Sequence, residues 1–460
     1  MNQPIPSAPW LLRCIGCGAS YPALEVRFFC GCGSLLEVEH THTRELLDEA
    51  LAPHRHAPNR QPTSVTDLLD LRRASNAAID RSGVWRFREL LLPLAAEHIV
   101  TKPEGNTNLY CDSRLSAYTG LHNLVIKHEG ENPTGSFKDR GMTAGISVAK
   151  RLGMKAVACA STGNTSAAMA SYAAQAGMRA FVFIPAGKIA FGKLAQALAY
   201  GATTLQIDGD FDAAMELVQQ VCTSEGIYLL NSANPFRIEG QKAIGFELLQ
   251  DLGWTVPDWV ILPGGNLGNA SALFKGLSQL KALGIIHRLP RIAVIQAEGA
   301  SPLARSFLHK TPYQPQPNAN TIATAIRIGA PVSIQKCQRA IAETDGWADL
   351  VTDAEILDAK AVVDASGIGA EPAPAPPSPA SANSSQRASS SPANRSPPSS
   401  PATSSKTPTP SSTTTPPNPL QTAPAPTAPF ASKAPSTRSS RCSANSPRRR
   451  SPACVSPKIR

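Results

Sequence analysis

From Leu124 to about Gln296, short β-branched runs alternate with Ala-rich or amphipathic runs, and few folds accept that rhythm. A strand, a helix and a second strand in one sheet require a crossover, so neighbouring strands are parallel and both sheet faces are covered. The strands expected are Leu124–Lys127, Ala156–Ala160, Phe181–Ile184, Thr204–Ile207, Ile227–Leu230, Val260–Leu262 and Ile292–Gln296. Between them the spacing predicts helices, among them Met142–Leu152, Thr165–Gln175, Asp212–Thr223 and Gly240–Leu252. Gly153, Gly177 and Gly201 fall where a helix end needs a left-handed residue. The expectation is an α/β chain with an open, largely parallel sheet and ligands at the C-terminal ends of its strands.

Charge divides the chain in two. Of the 44 Lys+Arg, 11 lie between Pro372 and Arg460, a stretch without Asp or Glu; the remaining 33 face all 34 acidic residues, so the formal +10 belongs to the tail. The same stretch holds 21 of the 41 prolines but one leucine and one phenylalanine, too little apolar surface to offset the entropy of ordering it. It is expected to be disordered. The first 371 residues can bury a large core, enough for two or three units at roughly 150 residues each. No run approaches the 18 or so apolar residues of a membrane helix, and Met1 to Trp10 lacks the blocks of a signal peptide, which points to the cytoplasm. Four of the ten cysteines crowd into Cys14 to Cys32 and the rest scatter, unlike a secreted disulfide framework.

Three loops carry candidate chemistry. Glu131-Asn132-Pro133-Thr134-Gly135-Ser136-Phe137-Lys138-Asp139-Arg140 follows a strand and opens a helix, with one lysine at the junction. By itself a lysine in a turn is usually a solvated charge. Ser161-Thr162-Gly163-Asn164-Thr165 offers hydroxyls, an amide and backbone N–H groups after Ala156–Ala160. Gly264-Gly265-Asn266-Leu267-Gly268-Asn269 follows Val260–Leu262 and precedes a helix whose dipole favours an anion, although a bare glycine turn or a nucleotide loop would look similar.

Together these segments resemble the β-family of pyridoxal-phosphate enzymes, with wording closest to the threonine synthases. The resemblance covers about Gly83 to Pro372. It includes Glu104-Gly105-Asn106-Thr107, Gly135 to Met142, Ala160 to Thr165, Pro185-Ala186-Gly187, Asn231-Ser232-Ala233-Asn234-Pro235-Phe236-Arg237 with Glu239 to Lys242, and Thr324 to Gly329. It implies the two-domain, tryptophan-synthase-β-like fold and pyridoxal 5′-phosphate as cofactor. Residue by residue it implies that Lys138 holds the cofactor covalently and shuttles protons, and that Phe137 lines its ring. Asn164 would bond its 3′-oxygen, and Gly265, Asn266, Leu267, Gly268 and Asn269 would hold its phosphate. The implied substrate is O-phosphohomoserine, which loses phosphate before water adds to give threonine. Ser161, Thr165, Asn231, Ser232 and Arg237 would bind it, the planar guanidinium of Arg237 suiting phosphate. Read without the family, Arg237 is a surface or helix-capping residue.

Cys14-Ile15-Gly16-Cys17 and Cys30-Gly31-Cys32 give two tight thiol pairs beside glycines, similar to a zinc ribbon, although two intervening residues are commoner in the second pair. Structural zinc at Cys14, Cys17, Cys30 and Cys32 is the expectation, with free thiols or a redox pair as the alternative. His40 and His42 are read as solvated. The organisation expected is a ribbon-like segment over residues 1–40 and a helical extension over 41–100 with no identifiable chemistry. The catalytic core follows over 101–371 and the disordered tail over 372–460. The helix-like patches of the extension are Arg44–Leu51, Val65–Arg73 and Phe87–Leu92.

The family pattern reaches Gly367-Ile368-Gly369-Ala370-Glu371-Pro372-Ala373 and should continue as a helix start, a strand and a Thr-Gly-His segment whose threonine contacts the pyridine nitrogen. Instead Pro374 begins the Pro/Ser/Ala/Arg-rich tail, so the switch falls inside a motif. A reading-frame shift near codons 372–376 of a GC-rich gene explains that composition; a genuine basic extension is the alternative. Under the first, the chain lacks the pyridine partner, and an inactive pseudoenzyme becomes a reading of this chain. Within the enzyme class, the runner-up is a cysteate-synthase-like enzyme acting on O-phosphoserine or a threonine dehydratase. From another class, a nucleic-acid binder with a vestigial enzyme body would show binding that falls steeply with salt. The partners expected are the small-molecule substrate and a second copy in a homodimer, with neither nucleic acid nor membrane.

Overall fold

Alternation in Trp10-Leu11-Leu12-Arg13-Cys14 buries every second side chain, and these residues form β1 (Trp10–Cys14) at the centre of a small antiparallel sheet. β2 (Ser20–Tyr21) and β3 (Leu36–His40) flank it in the order β2-β1-β3, Trp10 opposite His40 and Cys14 opposite Leu36. The computed structural model describes residues 8–54, 62–186, 191–209 and 211–372; Gly187 and the tail from residue 373 on lie outside them. Next come α1 (Thr43–Leu51), α2 (Val65–Arg73) and α3 (Arg88–Leu91). Ser64 starts α2 with a capping box, its hydroxyl accepting from the Asp67 N–H while the Asp67 carboxylate returns to the Ser64 N–H. The helix expected over Phe87–Leu92 breaks into a 3-10 turn at Trp85–Phe87 and the short α3. Trp85, Phe87, Leu90, Leu91 and Leu92 are all buried, so packing on every side sets this backbone.

β4 (Leu109–Tyr110), α4 (Ser113–Thr119) and β5 (Ile126–Lys127) precede the main alternation. The strand expected over Leu124–Lys127 is thus shorter, and it pairs antiparallel, Leu109 opposite Lys127. The Lys127 ammonium is drawn to Glu247 and Asp251, 2.7 Å from each, and a 3-10 turn at Glu129–Glu131 ends the extended run.

The alternation itself is α5 (Lys138–Arg151), β6 (Ala156–Ala160), α6 (Asn164–Gln175), β7 (Arg179–Pro185), α7 (Phe191–Ala199), β8 (Thr203–Ile207), α8 (Phe211–Ser224), β9 (Tyr228–Leu229) and α9 (Pro235–Asp251). It then runs through β10 (Trp259–Pro263), α10 (Gly268–Ala282), β11 (Arg291–Ala297), α11 (Pro302–His309), α12 (Ile334–Glu343), β12 (Trp347–Val351) and α13 (Asp353–Ala365). Gly153, Gly177 and Gly201 end their helices at φ of 73°, 68° and 82°, as expected. Two parallel sheets result, β8-β7-β6-β9 and β10-β11-β12. In the first, succession runs outward from β6 to β8 and then returns to the other side of β6 with β9. That reversal opens a crevice at the C-terminal ends of β6 and β9, where a ligand can enter.

α9 is the spine of the molecule, buried from Pro235 to Gln250 on all sides. Asn234 caps it, its side-chain oxygen accepting from the Phe236 N–H at 3.0 Å, and Pro235 presets its first turn. At Gly240 an added Cβ would overlap the Arg140 carbonyl oxygen, so a hydrogen there lets α5 and α9 cross closely. Two buried or half-buried cations, Lys242 and Lys275, and the His40 ring surround the Glu239 carboxylate. His40, expected in solvent, has a 10% exposed side chain with Nε2 at 2.7 Å from Glu239 Oε2 and 2.9 Å from Lys242 Nζ. β3 lies against α9, and burial, reinforced by Lys242, pushes His40 down to about 4, so it is neutral near pH 7. His42 is exposed, as expected. One hydrophobic core joins Leu12, Leu36 and Val38 of the small sheet to α5, β6, α9 and β11. Among the described residues no helix is long and apolar enough to cross a membrane.

Candidate active site

Lys138 is the first residue of α5, and the turn before it is braced from inside the fold. Asp139 turns back to Thr134, its carboxylate accepting from the backbone N–H and the hydroxyl, each at 2.7 Å. Burial raises the Asp139 carboxyl to about 6 even so. The Asn132 side-chain oxygen accepts from the Gly105 N–H at 2.9 Å, which anchors the turn to the Glu104–Thr107 segment. Behind it, the buried Arg140 guanidinium donates to Glu129 at 2.6 Å and Glu247 at 2.8 Å. Burial opposes both charges, yet mutual attraction with Glu129, Lys127 and Arg86 holds Arg140 above and Glu247 below their ordinary values. The Lys138 side chain is thereby aimed into a cleft, its Nζ 4.2 Å from the centre of the Phe137 ring. Burial pushes its ammonium down to about 7; the nearby Arg237 acts in the same direction and Glu371 against it.

The cleft has a volume of about 2840 Å³ and takes in every residue that the sequence singled out for cofactor or substrate. Ser161 to Thr165 form its wall at the end of β6, with Asn164 opening α6. Asn164 Nδ2 donates to Glu371 Oε2 at 3.1 Å, while its Oδ1 is buried without a partner. At the end of β9 the Asn231 side chain accepts from the Ala160 N–H at 2.9 Å and donates to the Ala160 carbonyl at 3.0 Å. Both ends of that amide are thus engaged in extending the ladder between β6 and β9. Arg237 lies in the first turn of α9, buried rather than on the surface. Its Nη1 donates to the Leu230 carbonyl at 3.3 Å, its Nε has no partner, and burial pushes it down to about 10. Gly145, with no side chain, stands where Arg237 passes between α5 and α9.

The facing wall is the loop from Gly264 to Asn269, at the end of β10 in the second sheet. Asn266 Oδ1 accepts from the Val332 N–H at 3.1 Å, and Asn266 Nδ2 donates to Ser232 Oγ at 3.0 Å, tying the loops of the two sheets together. Leu267 holds a left-handed φ of 62° and starts α10, whose first N–H groups have no intrahelical acceptor. Gly265 is backed by the turn at Thr324–Ile326, where Ile326 Cα would stand 3.1 Å from an added Cβ. Asn269 Oδ1 is buried without a partner.

Two cleft residues escaped the sequence reading. Glu371 was visible within a motif, but its partner Asn164 is 207 residues away and no local pattern links them. Lys193 of α7, 3.8 Å from Glu371 Oε1, donates to the Thr134 carbonyl at 3.2 Å, and its run Phe191–Ala199 gave no chemical signal.

Away from the cleft, the Sγ atoms of Cys14, Cys17, Cys30 and Cys32 all lie within 4.8 Å of one another. Cys14 to Cys32 and Cys17 to Cys30 are each 3.5 Å apart. The N–H groups of Gly16 and Cys17 donate to Cys14 Sγ at 3.3 Å.

A family model described as pyridoxal-phosphate dependent enzyme matches residues 100–388. The threonine synthase of Methanosarcina acetivorans is 46% identical over 367 residues, 79% of this chain and 84% of that protein. That of Methanocaldococcus jannaschii is 44% identical over 370 residues, 79% and 85% of the two chains. That of a Synechocystis strain is 48% identical over 304 residues, 64% and 78%. Among solved structures, a processed threonine deaminase isoform from Solanum lycopersicum superposes with a TM-score of 0.51 at 24% identity, covering 59% of this chain and 76% of that one, a likeness of fold. With a lysine at a strand-to-helix junction facing two helix N-termini across one cleft, the chain belongs to the pyridoxal-phosphate-dependent enzymes and, within them, to the threonine synthases.

Proposed function

We propose that this chain converts O-phospho-L-homoserine and water to L-threonine and phosphate in the cytoplasm, using pyridoxal phosphate bound at Lys138. The observation that carries the site is a cleft lysine pushed to about 7, facing a helix N-terminus and two buried side-chain oxygens without partners. Both oxygens accept and so call for a donor, whereas the free N–H groups at the head of α10 are donors that suit an anion. Gly265 to Asn269, at the head of α10, suit the cofactor's phosphate, and Asn164 suits its ring oxygen. Phe137 packs against the Lys138 side chain and keeps water from it. When bound, the cofactor supplies an electron sink for the carbanions of an elimination and a later addition of water.

The remaining work falls to side chains. Lys138, close to half-protonated near neutral pH, can take a proton from substrate carbon and return one. Arg237, with Ser161, Thr165 and Ser232, gives the substrate's phosphate a charged fork and hydroxyls at the β6–β9 crevice. Asn231, engaged with Ala160, shapes that seat. In this reading the core spans residues 101–371, with the ribbon at 1–40 and the helical extension at 41–100. A second copy completes a homodimer.

The four thiols also fit a metal. A tetrahedral zinc with Zn–S bonds of about 2.3 Å requires S–S edges of about 3.8 Å, within the span observed. With four protein ligands no position is open, so we infer structural zinc.

The deciding experiment uses the full chain with pyridoxal phosphate and O-phosphohomoserine, with Lys138→Ala as control. A borohydride-reducible visible band that Lys138→Ala lacks, together with threonine and phosphate, supports the proposal. A soluble chain that takes up cofactor but makes no threonine moves the assignment to another lyase of the family; one that takes up none makes it an inactive relative.

A further inference from the structure

We propose that Glu371 is a positioning residue for the cofactor, acting through the side-chain amide of Asn164; this rests on the reading of Asn164 above. Glu371 follows α13 and reaches back across the cleft to the first residue of α6. Its Oε2 accepts from Asn164 Nδ2 at 3.1 Å, and its Oε1 stands 3.8 Å from Lys193 Nζ on α7. Lys193 is itself fixed by the Thr134 carbonyl at 3.2 Å. The carboxylate is therefore steered from one side and holds the amide on the other.

What makes the contact informative is the rest of the amide. Asn164 Oδ1 is buried and has no partner, so the hydrogen bond to Glu371 decides which end of the side chain is N–H and which is carbonyl. An ionised carboxylate only accepts, so it selects the NH₂ end. An amide nitrogen carries two hydrogens; Glu371 takes one and the second remains for an acceptor in the cleft. A cofactor ring oxygen carrying negative charge needs that donor. The opposite orientation would set a carbonyl oxygen against it. Glu371 thus prepays the choice between an attractive and a repulsive contact.

The test titrates cofactor-stripped full-length protein with pyridoxal phosphate and reads both Kd and the proportions of the visible bands, which report the protonation of the ring oxygen. Glu371→Ala should weaken binding about tenfold, the scale of one charge-assisted hydrogen bond, and shift the bands toward the protonated form. Glu371→Gln, whose carbonyl still accepts from Asn164, should restore binding to within about twofold by keeping the same bond. Asn164→Ala with Glu371→Ala should bind no worse than Asn164→Ala alone, because the route runs through that amide. Wild-type binding in Glu371→Ala, a glutamine variant as weak as the alanine, or losses that multiply in the double variant would each overturn the inference. Multiplying losses are also what general damage to the fold would give. If the wild-type chain takes up no pyridoxal phosphate, the reading of the site falls and this inference with it; uptake with unaffected variants overturns the inference alone.

Discussion

An ordinary lysine amine stays protonated to about pH 10.4, and only its neutral form attacks an aldehyde. Lys138 sits in an environment that lowers this to about 7, burial first and Arg237 second. The sign is that of a depressed base, with the amine free above about 7 and protonated below. The rate of cofactor capture should therefore climb with pH to about 7 and then level off. Stopped-flow absorbance on cofactor-stripped protein checks this, and a rate still climbing toward pH 10 would show that the lysine is solvated. Lys138 drew notice locally, as a lysine between the end of a strand and the start of a helix, but only the resemblance carried by several loops together gave it a role. The local pattern of Arg237, without the resemblance that gives it a substrate-binding role, reads as a surface or capping residue, and His40 reads as solvated; both are covered by elements distant in sequence, Arg237 by α5 and His40 by α9.

Among elements, α5 and α9 cross closely at Gly240. Alanine at Gly240 would favour the helix by roughly 1 kcal/mol in isolation, yet its methyl overlaps the Arg140 carbonyl, a backbone atom that cannot turn aside. Overpacking should win. Gly240→Ala should lose about 1–3 kcal/mol in urea denaturation, and an unchanged midpoint would mean the helices can part freely. Helices with a clear period were readable to within a few residues. The glycines that punctuate them were too, since Gly153, Gly177 and Gly201 take the left-handed conformation their positions imply. The strand expected over Leu124–Lys127 is shorter, Ile126–Lys127, pairs antiparallel with Leu109–Tyr110, and is followed at once by the 3-10 turn at Glu129–Glu131.

At the scale of the whole molecule, the ribbon is part of the main core, through Leu12, Leu36 and Val38. Loss of the zinc inferred at its four thiols should therefore be felt well beyond them. Cys32→Ser should bind less zinc by elemental analysis and melt roughly 5 °C or more lower, at about 2–4 °C per kcal/mol. A chain as isolated with no zinc would return the thiols to the free or redox reading. The alternation of strands and helices announced a largely parallel sheet and the resemblance two domains, but how the loops of the two sheets meet needed the folded chain, because Ser232 and Asn266 join across a separation of 34 residues. That one hydrogen bond makes the cleft a caliper. One jaw is the loop of β10, proposed to seat the cofactor's phosphate, the other the mouth of β6 and β9, proposed to seat the substrate's, and with the jaws tied the distance between the two seats should favour one substrate length. O-phosphoserine, one methylene short, should fall behind O-phosphohomoserine by about 10- to 200-fold in kcat/KM, and Asn266→Ala, by freeing the jaws, should narrow the gap.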